Sequence, residues 1–98
     1  MKTLKPEQYA ALYEAFLTLK NTDEVARFLT DLCTPGEITD FVERWEIAQL
    51  LDRGELGYRE IASKTGASTT TVGRVARFLN QESYQGYRLV LSRLGKGK

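Results

Sequence analysis

Apolar residues recur along most of this chain at intervals of three and four, the period of amphipathic helices rather than the period of two of a half-buried strand. Tyr9, Leu12, Tyr13, Phe16 and Leu19 predict a helix from Pro6 to about Lys20, with the proline in the first turn, where its missing N–H costs nothing. Asn21, Thr22 and Asp23 interrupt the stripe and offer a new N-cap, and Val25, Phe28, Leu29 and Leu32 mark a second helix ending near Cys33. Thr34-Pro35-Gly36-Glu37 reads as a capping box, starting a third helix that runs to about Asp52 with Gly54 as its stop. Two short helices over 57–64 and 68–79 follow. A last one, from about Ser83 to Leu94, carries Tyr84, Tyr87, Val90, Leu91 and Leu94, and the tail to Lys98 is expected to fray. The pattern is all-α, six helices with no strand.

The third helix is apolar on more than one side. Ile38, Phe41, Val42 and Trp45 share a flank with Ala48, while Ile47, Leu50 and Leu51 widen it. A helix apolar around most of its circumference is buried on several sides. One chain of 98 residues can hardly supply that cover. The pattern therefore predicts a homodimer whose N-terminal helices wrap around each other. The alternative, a central helix in a monomer, leaves the aromatic stripes of the first two helices as a large exposed patch.

Tyr58 to Leu79 has the spacing of a DNA-binding helix-turn-helix. Two short helices crossing around a three- or four-residue turn need a small side chain at the crossing, which Ala62 supplies. Gly66 suits the corner, because glycine takes a positive φ without steric cost. Val72 and Val75 pin the second helix from below, Ile61 and Leu79 extend that underside, and Ser68 suits its N-cap. With the valines inward, Thr69, Thr70, Gly73, Arg74 and Arg77 fall on the outer face and N-terminal end, the part of a recognition helix that enters the major groove. Threonine can bond base edges or touch a thymine methyl, and arginine can grip guanine bidentately. Gly73 lets the helix backbone approach a duplex closely. Tyr58 and Arg59, at the start of the first helix, and Ser68 and Thr71, at the start of the second, complete the candidate DNA-binding set.

Charge sharpens this reading. The net charge of +1 hides an asymmetry: residues 1–55 hold six Lys or Arg against eleven acids, and residues 56–98 hold eight against Glu60 and Glu82. A basic half beside an acidic one suits nucleic-acid contact, here double-stranded DNA. The same asymmetry also suits lobes that pair with each other, and the motif tips the balance to DNA. The single Cys33 excludes an internal disulfide. With no histidine, a zinc site and a histidine general base both lack their usual side chain. No catalytic residue, metal or cofactor is expected, and the chain reads as a non-enzyme. No signal peptide or spanning segment interrupts the pattern, so no membrane association and a cytoplasmic location are expected.

The stretch from Thr34-Pro35 through Gly54-Glu55, then Arg59-Glu60, Gly66-Ala67 and Thr71-Val72-Gly73-Arg74, resembles the Trp repressor superfamily without needing a gap. It looks most like the Trp repressor-related (YerC/YecD-like) branch found in Gram-positive bacteria. The likeness is close over about residues 25–80. It implies an all-α, six-helix, intertwined homodimer that reads successive major grooves and represses transcription. Residues 1–56 would be dimerisation helices, 57–80 the helix-turn-helix and 81–94 a C-terminal helix of one domain.

The resemblance also implies a candidate effector site. In that family tryptophan sits between the third helix and the recognition helix, sandwiched by two arginines. Arg44 and Arg74 stand at those positions, and Thr34 at a backbone-contacting one. The chain departs from the pattern in having Val75 and Phe78 for a glycine and a serine, and Asp31 and Cys33 for two leucines. The added bulk is expected to fill the indole slot, which argues against tryptophan and leaves another small effector open. Arg44 has a plainer reading as an ion-pair partner of Asp40 or Glu37, one turn away. Two rival functions are a helix-turn-helix module that contacts protein and the targeting domain of a nucleic-acid enzyme. The absence of an acidic or nucleophilic constellation near the motif weighs against the latter.

Overall fold

Six helices and no strand make up the computed structural model, which describes residues 2–95: α1 (Pro6–Leu17), α2 (Thr22–Leu32), α3 (Pro35–Arg53), α4 (Tyr58–Thr65), α5 (Thr69–Asn80) and α6 (Gly86–Gly95). They form two compact units, one ending at Ile38 and the other beginning at Thr39.

In the first unit, α1 stops at Leu17, short of the expected Lys20, because Thr18 closes it. The Thr18 hydroxyl donates back to the Ala15 carbonyl at 2.7 Å, a local bond that competes with helix continuation. Asn21, in extended backbone, then caps α2 by accepting from the Glu24 N–H at 3.0 Å. Phe16 and Phe28 meet edge to face at 5.1 Å, a favoured aromatic geometry. No residue of α1 or α2 is buried. The capping box of α3 forms as its residue types predict: the Thr34 N–H donates to Glu37 Oε1 at 2.8 Å, and Thr34 Oγ1 accepts from the Glu37 N–H at 3.2 Å.

The second unit holds the core. Ile47, Ala48 and Leu50 of α3 pack with Ile61 of α4 and Val72 and Val75 of α5. Trp45, Leu51, Leu56, Ala62, Ala67 and Tyr87 surround that cluster. Ala76 and Leu79 are also buried, so the apolar underside of α5 is wholly turned inward. The far side of α3 stays open: Phe41 and Val42 are 45% and 61% exposed, so the several-sided burial expected of this helix is not met within one chain. Gly54 has φ +72°, the left-handed conformation that ends a helix and that glycine alone adopts cheaply.

The last helix starts at Gly86, three residues later than its periodicity predicts. Gln85 has φ +59°, which no helix accommodates, and its side-chain amide donates to the Glu82 carbonyl at 2.8 Å. Tyr84 therefore sits in a turn and not on the α6 stripe. The basic tail 96–98, expected to fray, lies outside the described residues.

Candidate nucleic-acid interface

Helices α4 and α5 are joined by Gly66, Ala67 and Ser68. Gly66 has φ +81° and donates its N–H to the Ala62 carbonyl at 2.9 Å, closing α4 with a left-handed cap. Thr65 holds the corner from inside, its hydroxyl donating to the Ile61 carbonyl at 2.8 Å and accepting from the Ala67 N–H at 3.3 Å. Ser68 Oγ accepts from the Thr71 N–H at 3.1 Å and lies 3.0 Å from Thr71 Oγ1. Ile61, Val72, Val75 and Leu79 are each no more than 1% exposed, so α5 cannot roll about its axis without unpacking the core. The turn, the cap and the pinned underside are those of a helix-turn-helix.

The candidate DNA-binding residues separate into three groups on this frame. Thr69, Thr70 and Arg74 are exposed on α5, and Tyr58 and Arg59 are exposed at the start of α4. Among the described residues no carboxylate pairs with Arg59 or Arg74. Ser68 and Thr71 form the second group: each side chain is already engaged in the N-cap of α5, and Thr71 is half-buried. Arg77 stands apart, because its Nε lies 3.1 Å from Glu82 Oε2. Gly73 faces open space: a Cβ built there meets no atom within 4 Å.

Arg74 and Arg77 share one aromatic ring. Their guanidinium carbons lie 4.5 Å and 4.9 Å from the centroid of Phe78. Both are within reach of a cation–π attraction. Tyr84 stacks on the same ring at 6.2 Å and 14°. Phe78 and Tyr84 also line an open apolar groove of about 620 Å³ with Trp45, Gly86, Tyr87 and Val90.

Of the candidate effector residues, Thr34 belongs to the first unit and Arg44 and Arg74 to the second. The Thr34 hydroxyl is used in the α3 cap, and Arg74 lies over Phe78. Arg44 is half-buried and, among the described residues, makes no ion pair with Asp40 or Glu37. Val75 belongs to the core and Phe78 is half-buried, and it is the phenyl ring that lies against Arg74. Among the described residues no cluster of His, Cys, Asp or Glu could hold a metal ion, and no helix is long and apolar enough to cross a membrane.

Three participants escape a reading of the sequence. Glu82 meets Arg77 from beyond the helix end, Tyr84 reaches Phe78 from a turn, and Arg88 of α6 reaches back to α5 and α3. The first two depend on how the chain leaves the end of α5, where the Glu82 N–H bonds to the Arg77 carbonyl at 3.0 Å, and the third on the packing of α6, so helical spacing does not give them.

Known proteins bear on this geometry. The chain is 38% identical over 91 residues to the uncharacterized protein YerC of Bacillus subtilis, covering 93% of this chain and 86% of that protein. It is 39% identical over 66 residues to a Trp operon repressor homolog of Chlamydia trachomatis serovar L2, covering 63% and 70% of the two chains. The crystal structure of a TrpR like protein from Eubacterium eligens superposes with a TM-score of 0.85 at 44% identity, over 94% of this chain and 93% of that one. The model of the Trp repressor protein family matches residues 7–95. With a pinned recognition-type helix and a match that spans nearly the whole chain, the protein belongs to the Trp repressor family of DNA-binding regulators.

Proposed function

We propose that this protein is a homodimeric, sequence-specific repressor of transcription that binds double-stranded DNA through α4 and α5. The observation that carries the reading is the outer face of α5, where Thr69, Thr70 and Arg74 are exposed above an underside fully committed to the core. Thr69, Thr70 and Arg74 are assigned to base edges, with Gly73 allowing close approach. Tyr58, Arg59 and Arg77 are assigned to the sugar-phosphate backbone, and Ser68 and Thr71 to the same role from the helix cap. Residues 1–56 serve dimerisation in this scheme, 57–80 read DNA and 81–94 complete the domain.

The dimer is supported by apolar surface that a single chain leaves uncovered. Tyr13, Leu17 and Val42 are 59%, 83% and 61% exposed, and the groove beside Trp45 and Tyr87 is open. Apolar surface of this kind, where it is contiguous, marks a face that another protein surface covers. The arrangement of Arg74 over Phe78 favours repression without tryptophan, and Arg44, Arg74 and Thr34 remain the residues that another small effector would engage.

Fluorescence anisotropy of labelled duplex DNA, measured from low to moderate salt, tests the reading. Binding should weaken steeply with salt, with a log–log slope of about −0.9 for each phosphate neutralised. Absence of binding at low salt, or capture of protein partners alone, sinks the DNA reading.

A further inference from the structure

Arg88 uses all three nitrogens of its guanidinium on three different acceptors. Nη1 donates to Asp52 Oδ1 at 2.6 Å, Nη2 to Asn80 Oδ1 at 2.6 Å and Nε to the Leu79 carbonyl at 3.3 Å. Asp52 lies in the last turn of α3, Leu79 and Asn80 end α5, and Arg88 itself is on α6. One planar group therefore ties together the ends of three helices. The Leu79 carbonyl is one of the last four of α5, which have no partner within the helix. A cation placed there also faces the negative end of the helix dipole.

We propose that Arg88 is a positioning residue for DNA recognition, holding the C-terminal end of α5 to α3 and α6 and so setting the angle at which the recognition helix is presented. The proposal rests on the DNA-binding reading above. Magnitudes favour geometry over stability as the role. The Arg88 and Asp52 side chains are each 41% exposed, and ion pairs in that environment contribute little to folding. The geometry, by contrast, is demanding. A planar fork can meet three acceptors in fixed directions, whereas a lysine ammonium is a point charge on a flexible stem. The buried valines fix the roll of α5 beneath its middle and Leu79 anchors the underside of its last turn, while the fork adds a directional restraint on the same end from the outer side. A small swing moves Arg74 and the threonines relative to base edges while leaving the charge of the surface unaltered.

The test compares the full chain with its Arg88→Lys and Asn80→Ala variants on two labelled duplexes. One is the tightest binder selected from a random-sequence pool, and the other is a scrambled duplex of the same composition. Both variants should stay folded and lose affinity for the selected duplex, about tenfold for Arg88→Lys, the size expected when a misplaced helix weakens one good base contact. Affinity for the scrambled duplex and its salt dependence should match the parent. If Arg88→Lys unfolds, Asn80→Ala decides by the same criterion. Full function in Arg88→Lys shows that only the charge matters and overturns the proposal, as does an equal loss on both duplexes. A parent that prefers neither duplex overturns the sequence-reading function itself, and the positioning role with it.

Discussion

The Arg74 guanidinium carbon lies 4.5 Å from the centroid of the Phe78 ring, one turn further along α5. An aromatic ligand held by Arg74 would need the face that this ring already occupies. Tryptophan should therefore not switch the protein. Calorimetry with millimolar tryptophan should show no saturable heat, and DNA affinity should be unchanged by its addition. A micromolar dissociation constant, or DNA binding tightened about tenfold, which is about 1.4 kcal/mol, overturns the steric argument.

The two arginines on that ring should differ when removed. Arg74→Ala should cost about 1–3 kcal/mol of DNA affinity, the worth of a good bidentate base contact, with the fold intact. Arg77 is held by Glu82, so Arg77→Ala should cost less and lower the salt slope by about one. Glu82→Gln should release Arg77 and raise affinity modestly. Titration of each variant at several salt concentrations checks all three, and parent-like binding by both arginine variants would mean that α5 is not the reading helix.

Gly73 should trade stability for access. Alanine is better than glycine inside a helix by about 0.5–1 kcal/mol, and the built Cβ meets nothing, so Gly73→Ala should raise the unfolding midpoint. The same methyl should weaken DNA binding if the backbone closes on the duplex there. A variant both more stable and undiminished in binding removes Gly73 from the interface.

Gly66 should behave in the opposite way. Its φ of +81° is strained for any residue with a Cβ, although the space around it is open. Gly66→Ala should therefore cost about 1–2 kcal/mol of stability through backbone strain alone. Chemical denaturation of the two proteins measures it, and an unchanged midpoint contradicts the left-handed turn.

Dimerisation should show in the melting curve. If folding and association are coupled, the thermal midpoint rises with protein concentration. Sedimentation at micromolar concentration should find a dimer. A monomer with a concentration-independent midpoint removes the partner that the exposed Tyr13, Leu17 and Val42 call for.

Much of this architecture is local and was legible in the order of the residues. The caps at Thr34 and Ser68, the glycine stop at Gly66 and the inward spacing of Val72, Val75 and Leu79 depend on neighbours one helical turn away. Such short-range bonds and periodicities need no knowledge of the remaining chain. They suffice to define six helices, a helix-turn-helix and the outer face of α5. Which of the exposed cations are engaged was decided by the backbone path beyond the end of α5, which helical periodicity does not give. Arg74 and Arg77 have the same residue type and similar places on the helix, yet Glu82, beyond the helix end, engages one and not the other. Tyr84 continues the α6 stripe in the sequence, but the left-handed Gln85 moves it into a turn and onto Phe78. Arg88 has no sequence signal at all, because its three acceptors come from the ends of α3 and α5 and meet only when the helices pack. Helix formation is dictated by contacts near in sequence, whereas the orientation of charged side chains depends on what the folded chain brings beside them.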